Sequence, residues 1–111
     1  MLERRKSGAV DIIRGKEPLN LEHVRDMLAA LEACMQQGQP RVVIDLEETP
    51  LIDSAGLELM LAFRDRYMAR GGLLKLAAAS PLCADILSVT GISELIELFP
   101  DTTSAVRSFA Q

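Results

Sequence analysis

The chain has 111 residues, 49% of them apolar and 25% charged, with a formal net charge of −4. That length supplies one hydrophobic core and no second, and the composition is that of an ordinary globular domain. An acidic balance argues against a nucleic-acid partner, and the absence of Trp leaves few aromatic platforms for bases or ligands.

From the amino terminus, Arg4-Arg5-Lys6 forms a short basic cluster. It reads as a solvated tail, with residues 1–8 a short arm or an added edge strand and residues 9–111 the domain proper. "GAVDIIRG" (8–15) reads as a strand bounded by glycines. Asn20 then offers an N-cap to a helix whose apolar residues Leu21, Val24, Leu28, Leu31 and Met35 make one stripe, stopped by Gly38 and Pro40. "RVVIDL" (41–46) carries apolar residues on consecutive positions, as a central strand covered on both faces does.

Asp53-Ser54 opens the next helix, with Leu57, Met60, Leu61, Phe63, Tyr67 and Met68 on it and Gly71-Gly72 at its end. "LLKLAAA" (73–79) is a strand. Ser80-Pro81 caps a helix with Leu82, Ile86 and Leu87 as its buried side, ended by Gly91. "ELIELF" (94–99) reads as the last strand, and Pro100-Asp101-Thr102 restarts a helix bearing Val106 and Phe109. The alternation predicts an α/β fold: about four helices on a mixed, mainly parallel sheet of four to five strands.

The chemistry converges on the connection after the central strand, because ligands and reactive groups in such folds gather where strands end and helices begin. Asp45, Glu47, Glu48, Asp53 and Ser54 all fall there. No glycine-rich phosphate cradle accompanies the acids, so they read as solvated loop carboxylates, with no metal or cofactor called for. The only histidine, His23, lies in the first turn of the first predicted helix and reads as exposed, and no G-x-S-x-G elbow surrounds Ser54, so the residues do not support nucleophilic catalysis. Two readings of Asp53-Ser54 remain open from the residues: a helix cap, or a hydroxyl that accepts a phosphate where free amides and the helix dipole favour negative charge. Cys34 and Cys83 sit among apolar residues and read as buried free thiols. Nothing resembles a leader or a membrane span, which suggests a cytoplasmic protein with no direct membrane insertion.

"VVIDLEETPLIDSAGLELML" (42–61) resembles the signature of STAS domains, in which a V-x-L-D-L strand leads to a D-S-[SA]-G-L helix start. "RGGLLKLAAASP" and "ILSVTGISELIELFPD" resemble the downstream segments of that family, and the likeness covers roughly residues 9 to 110. The resemblance implies an anti-sigma factor antagonist. Such a protein binds a serine-kinase anti-sigma factor, is phosphorylated on the serine matching Ser54, and is restored by a phosphatase. Asp53, Ser54, Ala55, Gly56, Leu57 and Glu58 would form the partner-facing surface, ATP would belong to the kinase, and the chain would be a monomer or weak dimer. Where antagonists commonly carry G-x-[LI]-D this chain has Gly15-Lys16-Glu17-Pro18-Leu19-Asn20, and Glu58 stands where many carry Gly. The same fold also serves as an accessory subunit of phospholipid-transport ATPases and as a scaffold in stress-signalling assemblies. A response-regulator receiver, with Asp45 as phospho-acceptor, is a weaker likeness of the same stretch.

Overall fold

In the computed structural model, which describes residues 2–36 and 38–110, the chain runs β1 (Leu2–Ser7), β2 (Val10–Gly15), α1 (Val24–Ala33), β3 (Arg41–Asp45), α2 (Ser54–Met68), β4 (Leu73–Ala77), α3 (Pro81–Val89), α4 (Ile92–Leu95), β5 (Leu98–Phe99) and α5 (Thr102–Ser108). Met1 and Gln111, the outer ends of the arm and domain read from the sequence, lie outside the described residues. The five strands form one sheet in the order β1-β2-β3-β4-β5, with β1 antiparallel to β2 and every later pair parallel. This is the expected α/β fold with a mixed sheet.

The consecutive apolar residues of β3 are explained by a helical layer on each face. Val42, Ile44 and Leu46 join the larger core with Leu31 of α1, Met60, Phe63 and Tyr67 of α2, and Leu87 of α3. Val43 points the other way, into a smaller core with Ile12, Ala77 and Ala105 of α5. Inside the larger core the Tyr67 hydroxyl donates to the Leu31 carbonyl at 2.7 Å, which satisfies both groups away from water. Burial pushes the Tyr67 pKa upward.

Four expectations need correction. Of the two readings of the first residues, the edge strand is the one formed, and the Arg4-Arg5-Lys6 cluster is part of it and not a solvated tail: Arg4 and Lys6 stand 3.8 and 3.9 Å from the carboxylate of Asp11. Their charges, with that of Arg5, blunt an edge that would otherwise template a further strand. The first helix begins at Val24, because Asn20 closes a turn of its own; its side chain and its carbonyl both accept from the His23 amide. The buried stripe is therefore Met27 and Leu31, continued by Cys34 and Met35, and Leu21 and Leu28 are exposed. Leu28 lies one residue, about 100°, round the helix from Met27.

In α3 the buried pair is Cys83 and Leu87, i and i+4, while Leu82 is exposed and Ile86 half-buried. The segment 94–99 is strand only at Leu98–Phe99. After Gly91 the chain makes the one-turn helix α4, which buries Ile92 and leads Ile96 into the core, and this fifth helix was not expected.

Candidate functional site

The site is assembled at the carboxyl ends of the parallel strands, from two connections stitched together. In the β3–α2 connection the Glu47 amide donates to Asp45 Oδ1 at 3.0 Å, and the Thr49 amide donates to the Leu46 carbonyl at 3.1 Å. Thr49 is buried; its hydroxyl donates to the Gly15 carbonyl at 3.1 Å, and its own carbonyl accepts from the Cys83 thiol at 3.4 Å. One threonine thus ties the loop to the end of β2 and to the first turn of α3. Cys34 and Cys83 are both buried free thiols, as expected.

The β2–α1 connection supplies the other half. Leu19 is buried, and its amide donates to the Leu51 carbonyl at 2.8 Å. Its carbonyl accepts from the Asp53 amide at 3.1 Å, so Leu19 and Ile52 form a parallel bridge. The "GKEPLN" segment is the clamp that holds the helix start. Sequence reasoning passed over Leu19 and Thr49; the available signal was a lone apolar residue between Pro18 and Asn20, which only burial explains.

At the joint, Asp53 is extended (φ −104°, ψ −171°), and its Oδ1 accepts from the Ala55 amide at 2.9 Å and the Gly56 amide at 3.3 Å. The cap is therefore Asp53. Ser54 is the first helical residue; it is exposed, and its hydroxyl makes no hydrogen bond among the described residues. Glu58, one turn later on the same face, is also exposed, while Ala55 and Leu57 are half-buried. Leu51, 41% exposed, borders the joint.

Gly56 differs from its neighbours in lying beneath the surface. A Cβ there would sit 2.4 Å from the Leu19 carbonyl oxygen and 2.9 and 3.0 Å from side-chain carbons of Leu19 and Ile52. Of the six residues expected at the partner-facing surface, the structure brings five to the outside of one helix start and buries this one. Its role there is the close approach of the clamp.

Of the loop acids, Glu47 and Glu48 are exposed as expected, and Asp45 is buried, which corrects the sequence reading for that residue. Arg14 donates from Nε to Asp45 Oδ2 at 2.9 Å and from its two terminal nitrogens to Glu48 and Glu47, each at 3.2 Å. The Asp45 side chain is only 2% exposed, and its hydrogen bond and then its charge hold the Arg14 pKa above the ordinary value. Asp45 is thus occupied as the counter-ion of Arg14. Neither this nor the sheet order, which departs from the 2-1-3-4-5 of doubly wound receivers, suits a phospho-acceptor aspartate. His23 is half-buried rather than exposed, with Nδ1 3.0 Å from Asn20 Oδ1.

Comparison with known proteins gives a family and a set of shapes. The STAS domain family model matches residues 2–105. No curated protein sequence matches the chain. Among solved structures, one assigned as an anti-sigma factor antagonist of Thermotoga maritima superposes with a TM-score of 0.92 at 16% identity, over 99% of this chain and 95% of that one. An anti-sigma factor antagonist of Mycobacterium paratuberculosis gives 0.88 at 19% identity, over 100% and 94% of the two chains. The anti-sigma factor antagonist SpoIIAA gives 0.80 at 18% identity in its unphosphorylated form, covering 100% of this chain and 98% of its own. In its phosphorylated form, as the Bacillus cell fate determinant, the same protein gives 0.72 at 18% identity, covering 97% and 99%. At these identities the likeness is one of fold.

Proposed function

Because this chain belongs to the STAS domain family, we propose that it is an anti-sigma factor antagonist whose partner surface is the start of α2 and whose switch is phosphorylation of Ser54. The observation that carries the reading is the division of labour at the joint. Asp53 caps the helix, which leaves Ser54 with an exposed hydroxyl that the fold itself does not use. Support also comes from the matching fold of SpoIIAA, which has been solved in a phosphorylated form.

The unmodified surface is small and partly apolar: Ser54, Ala55, Leu57 and the bordering Leu51. A partner, an anti-sigma factor with serine-kinase activity, packs over it and brings its own ATP. Phosphorylation adds up to about two negative charges at Ser54. The Ala55 and Gly56 amides are already taken by the Asp53 carboxylate, so the phosphate lacks those two donors and stands between two like charges, Asp53 and Glu58. In a close-packed interface that charge has neither water nor a counter-ion, and binding weakens on the order of a few kcal/mol. A phosphatase then restores the binding form. No helix among the described residues is long and apolar enough to cross a membrane, and the proposed place of action is the cytoplasm.

The test is capture of the tagged full chain from its native cell, followed by mass spectrometry. The reading predicts a co-purifying serine kinase and a fraction of the chain carrying phosphate on Ser54. Transport-ATPase subunits in place of a kinase, with Ser54 unmodified, would overturn it.

A further inference from the structure

β1 is the long open edge of the sheet. It pairs with β2 over six consecutive residues without a bulge, and Glu3 to Lys6 are exposed. The opposite edge, β5, is only two residues long. Among the described residues no main-chain hydrogen bond closes the outer side of β1, and Leu2–Ser7 contains neither Pro nor Gly. Beyond water, amides and carbonyls left open along such an edge suit one kind of occupant, another extended peptide.

The side chains select which peptide. In register, Arg4 and Lys6 lie opposite Ile13 and Asp11, and Arg5 lies opposite Ile12. Ile13 belongs to the larger core and Ile12 to the smaller, so Arg4 and Lys6 stand on one face of the sheet and Arg5 on the other. Arg41 lines the recess beside Arg4 and Lys6, and Arg107 of α5 lines the recess beside Arg5. Asp11 offsets part of the charge of Arg4 and Lys6, and Glu3, the one acid of the strand, stands 4.0 Å from Lys16. Arg5 has no ion pair among the described residues. In a chain of net charge −4, this edge is cationic on both faces. A second copy is turned away, because pairing β1 with itself sets cations against cations.

We propose that β1 is the docking edge for an extended acidic segment of a partner protein, which adds to the sheet as a sixth strand. The main chain of that segment completes the outer ladder of β1. Because the cations lie on both faces, its side chains opposite Arg4, Arg5 and Lys6 are consecutive Asp or Glu; cations on one face alone would select acids at every second position. This edge is separate from the Ser54 surface: β1 neighbours only β2 in the sheet, and Ser54 follows β3.

The experiment is amide-resolved NMR titration of the full chain with short synthetic peptides, built on one Thr/Val frame around a central triplet of Glu, Gln or Lys. With the Glu peptide the expected result is saturable shifts at Glu3 to Ser7 and slowed hydrogen exchange of the outward amides of β1. The Gln peptide is expected to bind at least about tenfold more weakly, the combined size of a few cross-strand charge pairs, and the Lys peptide not at all. A Glu peptide whose Val residues are replaced by Pro keeps its charge but cannot complete the ladder, and it too is expected to lose at least about tenfold. Arg5→Glu, on the exposed strand, is expected to weaken the Glu peptide by a similar factor. Should that variant fail to fold, the four peptides on the wild type decide. Equal affinity for the Glu peptide and either its Gln or its Pro counterpart, shifts that map away from β1, undiminished binding by a folded Arg5→Glu, or outer amides of β1 already protected by a second copy would overturn the proposal.

Discussion

Gly56→Ala sets two physical effects against each other, and the structure decides the sign. Helix propensity alone favours Ala in α2 by about 1 kcal/mol. Against it, the new Cβ falls 2.4 Å from the Leu19 carbonyl oxygen and within 3.0 Å of the Leu19 and Ile52 side chains. That oxygen is backbone; it accepts from the Asp53 amide and cannot retreat without opening the clamp. Overpacking of this kind costs about 1–3 kcal/mol, and a stretched or lost hydrogen bond adds about 1 kcal/mol. The net expectation is a loss of about 2 kcal/mol, or about 8 °C in Tm for a chain of 111 residues. Urea denaturation gives the magnitude, and faster hydrogen exchange at the Asp53 amide locates it. A variant as stable as the wild type, or more stable, would refute the claim that Gly56 is held by the clamp.

Arg14→Gln should lower the urea midpoint more than Glu47→Gln or Glu48→Gln does, because only Asp45 among its three partners is buried and would be stranded; equal effects would contradict this. Ala78 has φ 61°, a left-handed backbone that costs an L-residue about 1–2 kcal/mol. Ala78→Gly is therefore expected to stabilise by about 0.5–1 kcal/mol after the entropic cost of glycine, and a destabilised variant would argue against strain there. The Cys34 pKa is raised from 9.0 to about 11, so the folded state holds that proton more tightly. Its contribution to stability is whole below pH 9 and is lost as pH rises toward 11. Urea midpoints across that range should fall less steeply for Cys34→Ala, and identical slopes would contradict the assignment.

The fold was legible because the strongest signals in the sequence are those of its interior. The apolar run of β3 needs two covering layers, and Asp53 and Ser80 announce helix starts with side chains that do accept amide hydrogens. Phase was less legible. In α1 a capping residue, Asn20, made a turn of its own and displaced the stripe, and "ISELI" carries apolar residues at spacings that suit a strand and a helical turn equally.

At the site, the Asp53-Ser54 joint could be read because it is contiguous. What holds it could not. Leu19 acts through main-chain hydrogen bonds to residues more than 30 positions away, which leave almost no trace in side-chain type, and the Thr49 hydroxyl finds its acceptor, the Gly15 carbonyl, only through the packing of two connections. Arg14 was missed for a related reason. Its three carboxylates lie in another connection, and only the register of β2 against β3, with Arg14 opposite Asp45, brings them together.

The central claim is that charge on Ser54 is what the partner reads. The most direct measurement is the affinity of the captured kinase for the wild type, Ser54→Ala and Ser54→Asp, with circular dichroism confirming an unchanged fold in each. The account predicts that Ser54→Ala binds like the wild type and resists inactivation by the kinase with ATP, and that Ser54→Asp loses at least about tenfold in affinity. A Ser54→Asp variant that is folded and binds as tightly as the wild type would contradict it.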